Sequence, residues 1–249
     1  MTTRTFTNRL TRALRERALS LVDTDRPEGL VFLGAAAGTE IAKATGFGPL
    51  EKACKPVIAP SALAVALRDG ELGAVDTALL SATGAAYTVG DVILMLGGGH
   101  ASRSVARLAS GAAAFGVGHV ALGALMLRSG IRPKALQLSV HGAVAGTVGG
   151  MLLREDRGNW PLAAYGGMLA ALSALATSVD HGRAPAASVL AVGGPVFLLS
   201  DGLILARRKV AGGSLAARAL DVGVIDTYAT ATLLLLTGTA AAARSAGAR

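Results

Sequence analysis

This 249-residue chain is poor in charge and has one cysteine. Asp, Glu, Lys and Arg together make up 16% of it, where a soluble domain averages about one-quarter. No polar stretch is long enough to form a second domain. The lone Cys54 excludes an internal disulfide and any CxxC metal site, and reads as a small apolar filler. Short alternating strands are also missing, which excludes a transmembrane β-barrel.

Apolar residues are abundant. They form 52% of the chain, the mean hydropathy is +0.52 and glycine contributes 33 residues. Several apolar runs approach the ~20 residues a helix needs to cross a hydrocarbon core. The fold class is therefore all-α, a polytopic helical bundle in a bilayer. The net charge of +8 does not point to nucleic acid, because the basic residues cluster in the first 26 positions and at the ends of apolar runs. That placement suits anionic headgroups and topology setting.

Residues 1–28 form a basic N-terminal segment. Arg4, Arg9, Arg12, Arg15 and Arg17 accompany Phe6, Leu10, Leu14, Ala18 and Leu21 at helical spacing, the pattern of an amphipathic helix on a membrane surface. The basic stretch is too long for a signal peptide ending at Ala35-Ala36-Ala37. A transmembrane domain of eight apolar segments follows over residues 29–243, at roughly 29–45, 52–67, 74–96, 105–127, 134–153, 160–178, 186–206 and 219–242. Short connections such as Arg68-Asp69-Gly70 and Gly97-Gly98-Gly99 separate them. The Gly142-xxx-Gly146-xxx-Gly150 stripe predicts a close helix contact. The six Lys and Arg residues of the first segment lean toward both termini being cytoplasmic.

Ionisable side chains inside apolar spans are expensive and are the first places to look for function. Asp91 lies late in the third span and Asp201 late in the seventh. Lys55 opens the second, His119 and His141 lie in the fourth and fifth, and Tyr228 lies in the eighth. Parity adds a geometric expectation. Spans three and seven run the same way, while two and eight run oppositely, so Lys55, Asp91, Asp201 and Tyr228 should share one half of the bilayer. Each has a plain structural reading as well: Lys55 can snorkel to the interface, the histidines can be satisfied core residues, and Tyr228 can pack with its hydroxyl bonded. Arg103, Asp76 and Asp180 stand at span ends and read as solvated. A short repeat aligns Gly84, Tyr87, Asp91 and Leu94 with Gly194, Phe197, Asp201 and Ile204. Four spans apart, it suggests a parallel duplication of four plus four helices.

The ordered set Lys55-Pro56, Gly90-Asp91-Val92-Ile93-Leu94-Met95, Phe115-xxx-His119, Phe197 with Ser200-Asp201, and Tyr228 resembles the YhhN-like lysoplasmalogenase family of eight-span membrane proteins. The chain departs from that pattern at Leu122, where an aromatic is expected, and at Ala231 and Thr232, where an amide is expected. The resemblance implies hydrolysis of the vinyl ether bond of lysoplasmalogens to a fatty aldehyde and a glycerophospho-alcohol, with no cofactor and no metal. It implies Asp91 and Asp201 as the acid–base pair, with Lys55, His119, Ser200, Tyr87 and Tyr228 supporting them or the substrate, and Lys55 placed to meet the lipid phosphate. A vinyl ether hydrolyses through protonation of its β-carbon and capture of the oxocarbenium ion by water, which calls for one protonated acid and one carboxylate. Two other readings stand beside it: a small proton-coupled transporter using the same aspartates, and a non-catalytic lipid-binding membrane protein.

Overall fold

The computed structural model describes residues 3–96, 104–182 and 184–248. The Gly97-Gly98-Gly99 connection and Arg103 lie outside them. Among the described residues there is no strand, and the helices are α1 (Thr3–Leu21), α2 (Pro27–Thr45), α3 (Gly48–Cys54), α4 (Ile58–Arg68), α5 (Ala74–Met95), α6 (Val105–Arg128), α7 (Ala135–Glu155), α8 (Trp160–Ala176), α9 (Leu190–Arg207) and α10 (Leu215–Gly247). Each of the eight apolar runs becomes helix. Among the described residues five helices are long and apolar enough to cross a membrane: α5, α6, α7, α10, and α9 with the 3-10 turn that precedes it. Of the remainder, α2 carries Glu40 and Lys43 and α8 has only 17 residues. The second run is split into α3 and α4. Pro56 has no N–H, and its ring cannot sit over the preceding helical carbonyl. The chain tightens there into a 3-10 turn, Lys55–Val57.

Ion pairs gather at the two ends of the bundle. Arg17–Asp69, Arg68–Glu28 and Arg128–Asp76 mark the end that carries both chain termini. Lys43–Glu51, Arg207–Asp221 and Lys209–Glu155 mark the other. Between these belts the outward surface is apolar, as at Val117 and Val120 of α6 and Leu138 and Val140 of α7. Such a surface belongs in hydrocarbon, and the protein is an integral membrane protein.

Helix neighbours repeat between the two halves of the chain. Helix α5 pairs with α6 as α9 pairs with α10; α4 lies against α5 and α10, and α8 lies against α9 and α6. A four-plus-four duplication fits this pattern, with α6 and α10 in contact between the halves. The first helices of the halves differ. Helix α2 packs on α10, whereas α7 lies along α8 and shares no comparable seam with α6.

Two sequence expectations change. Part of the apolar side of α1 faces protein, because Ala13 and Leu14 pack against Val189 and Leu234. Leu19 and Val22 remain exposed for the membrane. The Gly142, Gly146 and Gly150 stripe makes no helix contact, since a Cβ at any of these positions meets nothing within 4 Å. Spacing alone had put α7's small-residue face against a neighbour, and in the fold that face has none. Close approach occurs instead at Gly194, where a Cβ would lie 2.9 Å from the Ser173 Cα.

Gly194→Ala should therefore lose about 1–3 kcal/mol through overpacking that backbone cannot relieve. Gly146→Ala should be neutral or gain up to about 1 kcal/mol from helix propensity. Unfolding of the detergent-solubilised protein measures both, and equal stabilities for the two variants would contradict this packing.

Candidate active site in the bilayer

The protein has three tyrosines: Tyr228 and Tyr165 face the two aspartates, and Tyr87 joins them through His119. Convergence begins with the break at Pro56, which leaves Lys55 on the inward side of the second run, buried and facing α5. Its Nζ lies 3.8 Å from Asp91 Oδ1, with the side chains 10% and 2% exposed. Helix α10 completes the arrangement: the Tyr228 hydroxyl donates to Asp91 Oδ2 at 2.5 Å. Lys55 is thus not at the interface, and its ammonium is turned toward a carboxylate in the bundle interior.

Asp201 is held differently. It lines the same cavity as Asp91, Lys55 and Tyr228. The Tyr165 hydroxyl lies close enough to interact with its carboxyl, yet Oδ2 is buried without a hydrogen-bond partner. Among the described residues no cation forms an ion pair with Asp201.

His119 touches neither aspartate. Its Nδ1 bonds the Tyr87 hydroxyl at 2.7 Å and its Nε2 the Tyr165 hydroxyl at 3.2 Å. With the ring proton on Nε2, the Tyr87 O–H donates to Nδ1 and Nε2–H donates to the Tyr165 oxygen. The Tyr165 O–H is then left to face Asp201. Phe197 packs edge-on to both His119 and Tyr228, with ring centroids 4.9 and 5.9 Å apart. Two glycines permit this crowding. A Cβ at Gly118 would lie 2.6 Å from the Tyr87 ring, and one at Gly90 would lie 2.6 Å from Phe115. The glycine before Asp91 is there for Phe115.

Ser200 lines the cavity while its hydroxyl donates to the Val224 carbonyl at 3.1 Å, tying α9 to α10. His141 lies apart, its Nδ1 bonded to the Gln137 carbonyl four residues back in its own helix at 2.8 Å, a satisfied core histidine. Among the described residues no group of three His, Cys, Asp or Glu side chains could hold a metal ion.

Sequence reading missed Tyr165, an uncharged residue in an apolar run. The duplication contained a signal for it. Asp91 and Asp201 are 110 positions apart (201 − 91), and Lys55 and Tyr165 are also 110 apart (165 − 55). Tyr165 is the second-half counterpart of the lysine, and each serves the aspartate of its own half.

Fold and site together define a polytopic α-helical membrane protein with paired carboxyl groups in an intramembrane cavity. The chain matches the YhhN family over residues 50–239, and it belongs to that family. The matched stretch contains every site residue described above. No curated protein and no solved structure matches the chain.

A buried ion pair loses several kcal/mol when one partner is removed, because the other is left charged and alone. Lys55→Met should destabilise the protein by about 3–5 kcal/mol, and adding Asp91→Asn should restore most of that. The double-mutant cycle in detergent measures the coupling, and additive losses would contradict a buried pair.

Proposed function

We propose that the protein is a membrane-embedded hydrolase that cleaves the vinyl ether bond of lysoplasmalogen-type lysophospholipids. The observation that carries this reading is the unequal environment of two carboxyl groups lining one cavity. Asp91 has a cation and a hydroxyl donor and is held as the carboxylate. Asp201 has neither a cation nor a partner for Oδ2. A negative charge there would be buried and unpaired, so Asp201 is the member that carries a proton. Family membership supports the same chemistry.

In this mechanism Asp201 protonates the β-carbon of the vinyl ether as the C=C electrons take up the proton. The resulting oxocarbenium ion forms beside the Asp91 carboxylate, which stabilises it. Water adds to the cationic carbon while Asp91 accepts its proton. The hemiacetal then gives up its hydroxyl proton to the glycerol oxygen as the C–O bond to the glycerol breaks, giving a fatty aldehyde and a glycerophospho-alcohol. The proton gained by Asp91 balances the one lost by Asp201 and returns to it. Lys55 keeps Asp91 ionised, and the donors of its ammonium not taken by Asp91 are available to the lipid phosphate. Tyr165 and His119 orient Asp201, and Tyr87 and Tyr228 complete the hydrogen-bonded frame. The first segment's basic residues favour both termini in the cytoplasm of a bacterial-type membrane, which puts the site in the outer half of the bilayer.

A proton-coupled transporter would need a polar route to both membrane faces. Toward the terminus-bearing end the interior is filled by Leu80, Leu122, Leu125 and Met126, all fully buried. That plug favours the enzyme.

Purified protein should release aldehyde from alkenyl but not acyl lysophospholipids. Asp91→Asn and Asp201→Asn should each lower kcat by about 10² to 10⁴-fold, and the double variant should be little worse than the worse single one. The pH profile should be bell-shaped, reporting the pair as a unit. Lys55→Met should lower kcat through Asp91; a rise in KM alone would assign the lysine to the phosphate. Folded aspartate variants with near-normal aldehyde release would overturn the mechanism.

A further inference from the structure

The cavity extends from the carboxyl groups into an apolar arm between α6, α7 and α8, lined by Ala112, Ala145, Gly149, Leu162 and Gly166. Val144 and Val148 also line it, yet they are 47% and 39% exposed on the outer surface of α7. Val144 stands midway between Lys134 and Arg154, the basic residues that bracket α7. The mouth is therefore lateral, at the depth of the hydrocarbon core. It falls where the helix packing of the two halves differs, since α2 packs on α10 but α7 leaves α6 without a matching seam. Nearer the site-side helix ends the cavity wall is formed by Leu108, Leu152 and Leu162, which pack together there.

Size decides what the arm can hold. The cavity volume is about 160 Å³. That volume includes the carboxyl end as well as the arm, and an apolar cavity of roughly 150 Å³ accepts one benzene ring, so the arm has room for at most about six carbons. The chain of a membrane lysolipid is longer.

Resting on the hydrolase reading above, we infer that the substrate's alkenyl chain enters sideways between α6 and α7, and that only its first few carbons lie inside the protein. The remainder stays in the surrounding lipid. The arm selects a slim, unbranched start to the chain and does not measure its full length. Gly166 is the residue that keeps the arm open: it lines the cavity, and a Cβ there would meet nothing within 4 Å. A larger side chain at 166 starts in open space and projects into the arm.

The experiment compares kcat/KM for alkenyl lysophospholipids with chains of eight to eighteen carbons, presented in mixed micelles at equal mole fraction. Wild-type values should agree within about threefold across the series, and a methyl branch at the third carbon should lower them at least tenfold. Gly166→Leu should lower activity at least tenfold at every length while leaving the unfolding temperature unchanged. A sharp optimum at one length, or full activity in folded Gly166→Leu, would overturn the inference. A second measurement does not depend on turnover. Non-cleavable alkyl lysophospholipids with a diazirine at the fourth or the fifteenth carbon are crosslinked to the protein, and the adducts are mapped. The fourth-carbon probe should mark the arm around Ala145, Gly149 and Gly166, and the fifteenth-carbon probe should mark lipid-facing positions or lipid alone. Fifteenth-carbon adducts inside the arm would overturn the inference. If wild-type protein releases no aldehyde from any alkenyl substrate while the crosslinks fall as expected, the hydrolase reading fails and the lateral chain site stands as a lipid-binding site.

Discussion

Everything at the centre of this bundle depends on a lysine and an aspartate meeting where water is excluded. Two charges in hydrocarbon are unfavourable separately, and their attraction compensates only when the geometry is held firmly. Here it is held from three directions. The Pro56 break turns Lys55 inward, α5 presents Asp91, and α10 brings the Tyr228 hydroxyl onto the second carboxylate oxygen. Through Asp91 the second apolar run is joined to the third and the last. That junction therefore fixes the early and late parts of the chain against each other, besides fixing a charge.

The duplicated architecture explains why two carboxyl groups share a cavity and why they differ. Each half offers an aspartate from its third helix and a partner from its second, with all four side chains lining the same cavity. In the first half the partner is a cation, and in the second it is the neutral Tyr165. In the proposed hydrolase that difference between related halves is what turns two similar sites into an acid and a base. Unequal surroundings for paired titratable groups are how enzymes divide such labour. The same loss of symmetry between α2 and α7 opens the lateral mouth, so the features that make the site chemically useful are those where the halves diverge.

Much of this was legible in the sequence, for identifiable reasons. Apolar runs report directly on the bilayer, and all eight became helix. Asp91 and Asp201 stood out because charge in such a run needs a reason, and parity placed them on one side with Lys55 and Tyr228 before any helix was packed. Partners were harder to read. A lysine near a helix start looks the same whether it snorkels or pairs, and only the packing of α5 against the Pro56 turn settles it. Tyr165 was hidden by its neutrality, although its 110-residue offset from Lys55 repeats that of the aspartates. The Gly142 stripe was misread because spacing shows that a face is smooth and cannot show that a neighbour lies against it. For α1, the amphipathic pattern gave the helix but did not distinguish protein from lipid as the cover for its apolar side.

In the proposed mechanism Asp201 delivers a proton to carbon, and that step leaves a mark in the product. When an alkenyl lysophospholipid is hydrolysed in D₂O and the aldehyde is trapped at once, the delivered deuteron ends on the carbon next to the carbonyl. Mass spectrometry of the trapped aldehyde should show one deuterium there in each molecule released. Aldehyde carrying no deuterium would mean that the bond breaks by another route, and the acid–base pair described here would be contradicted.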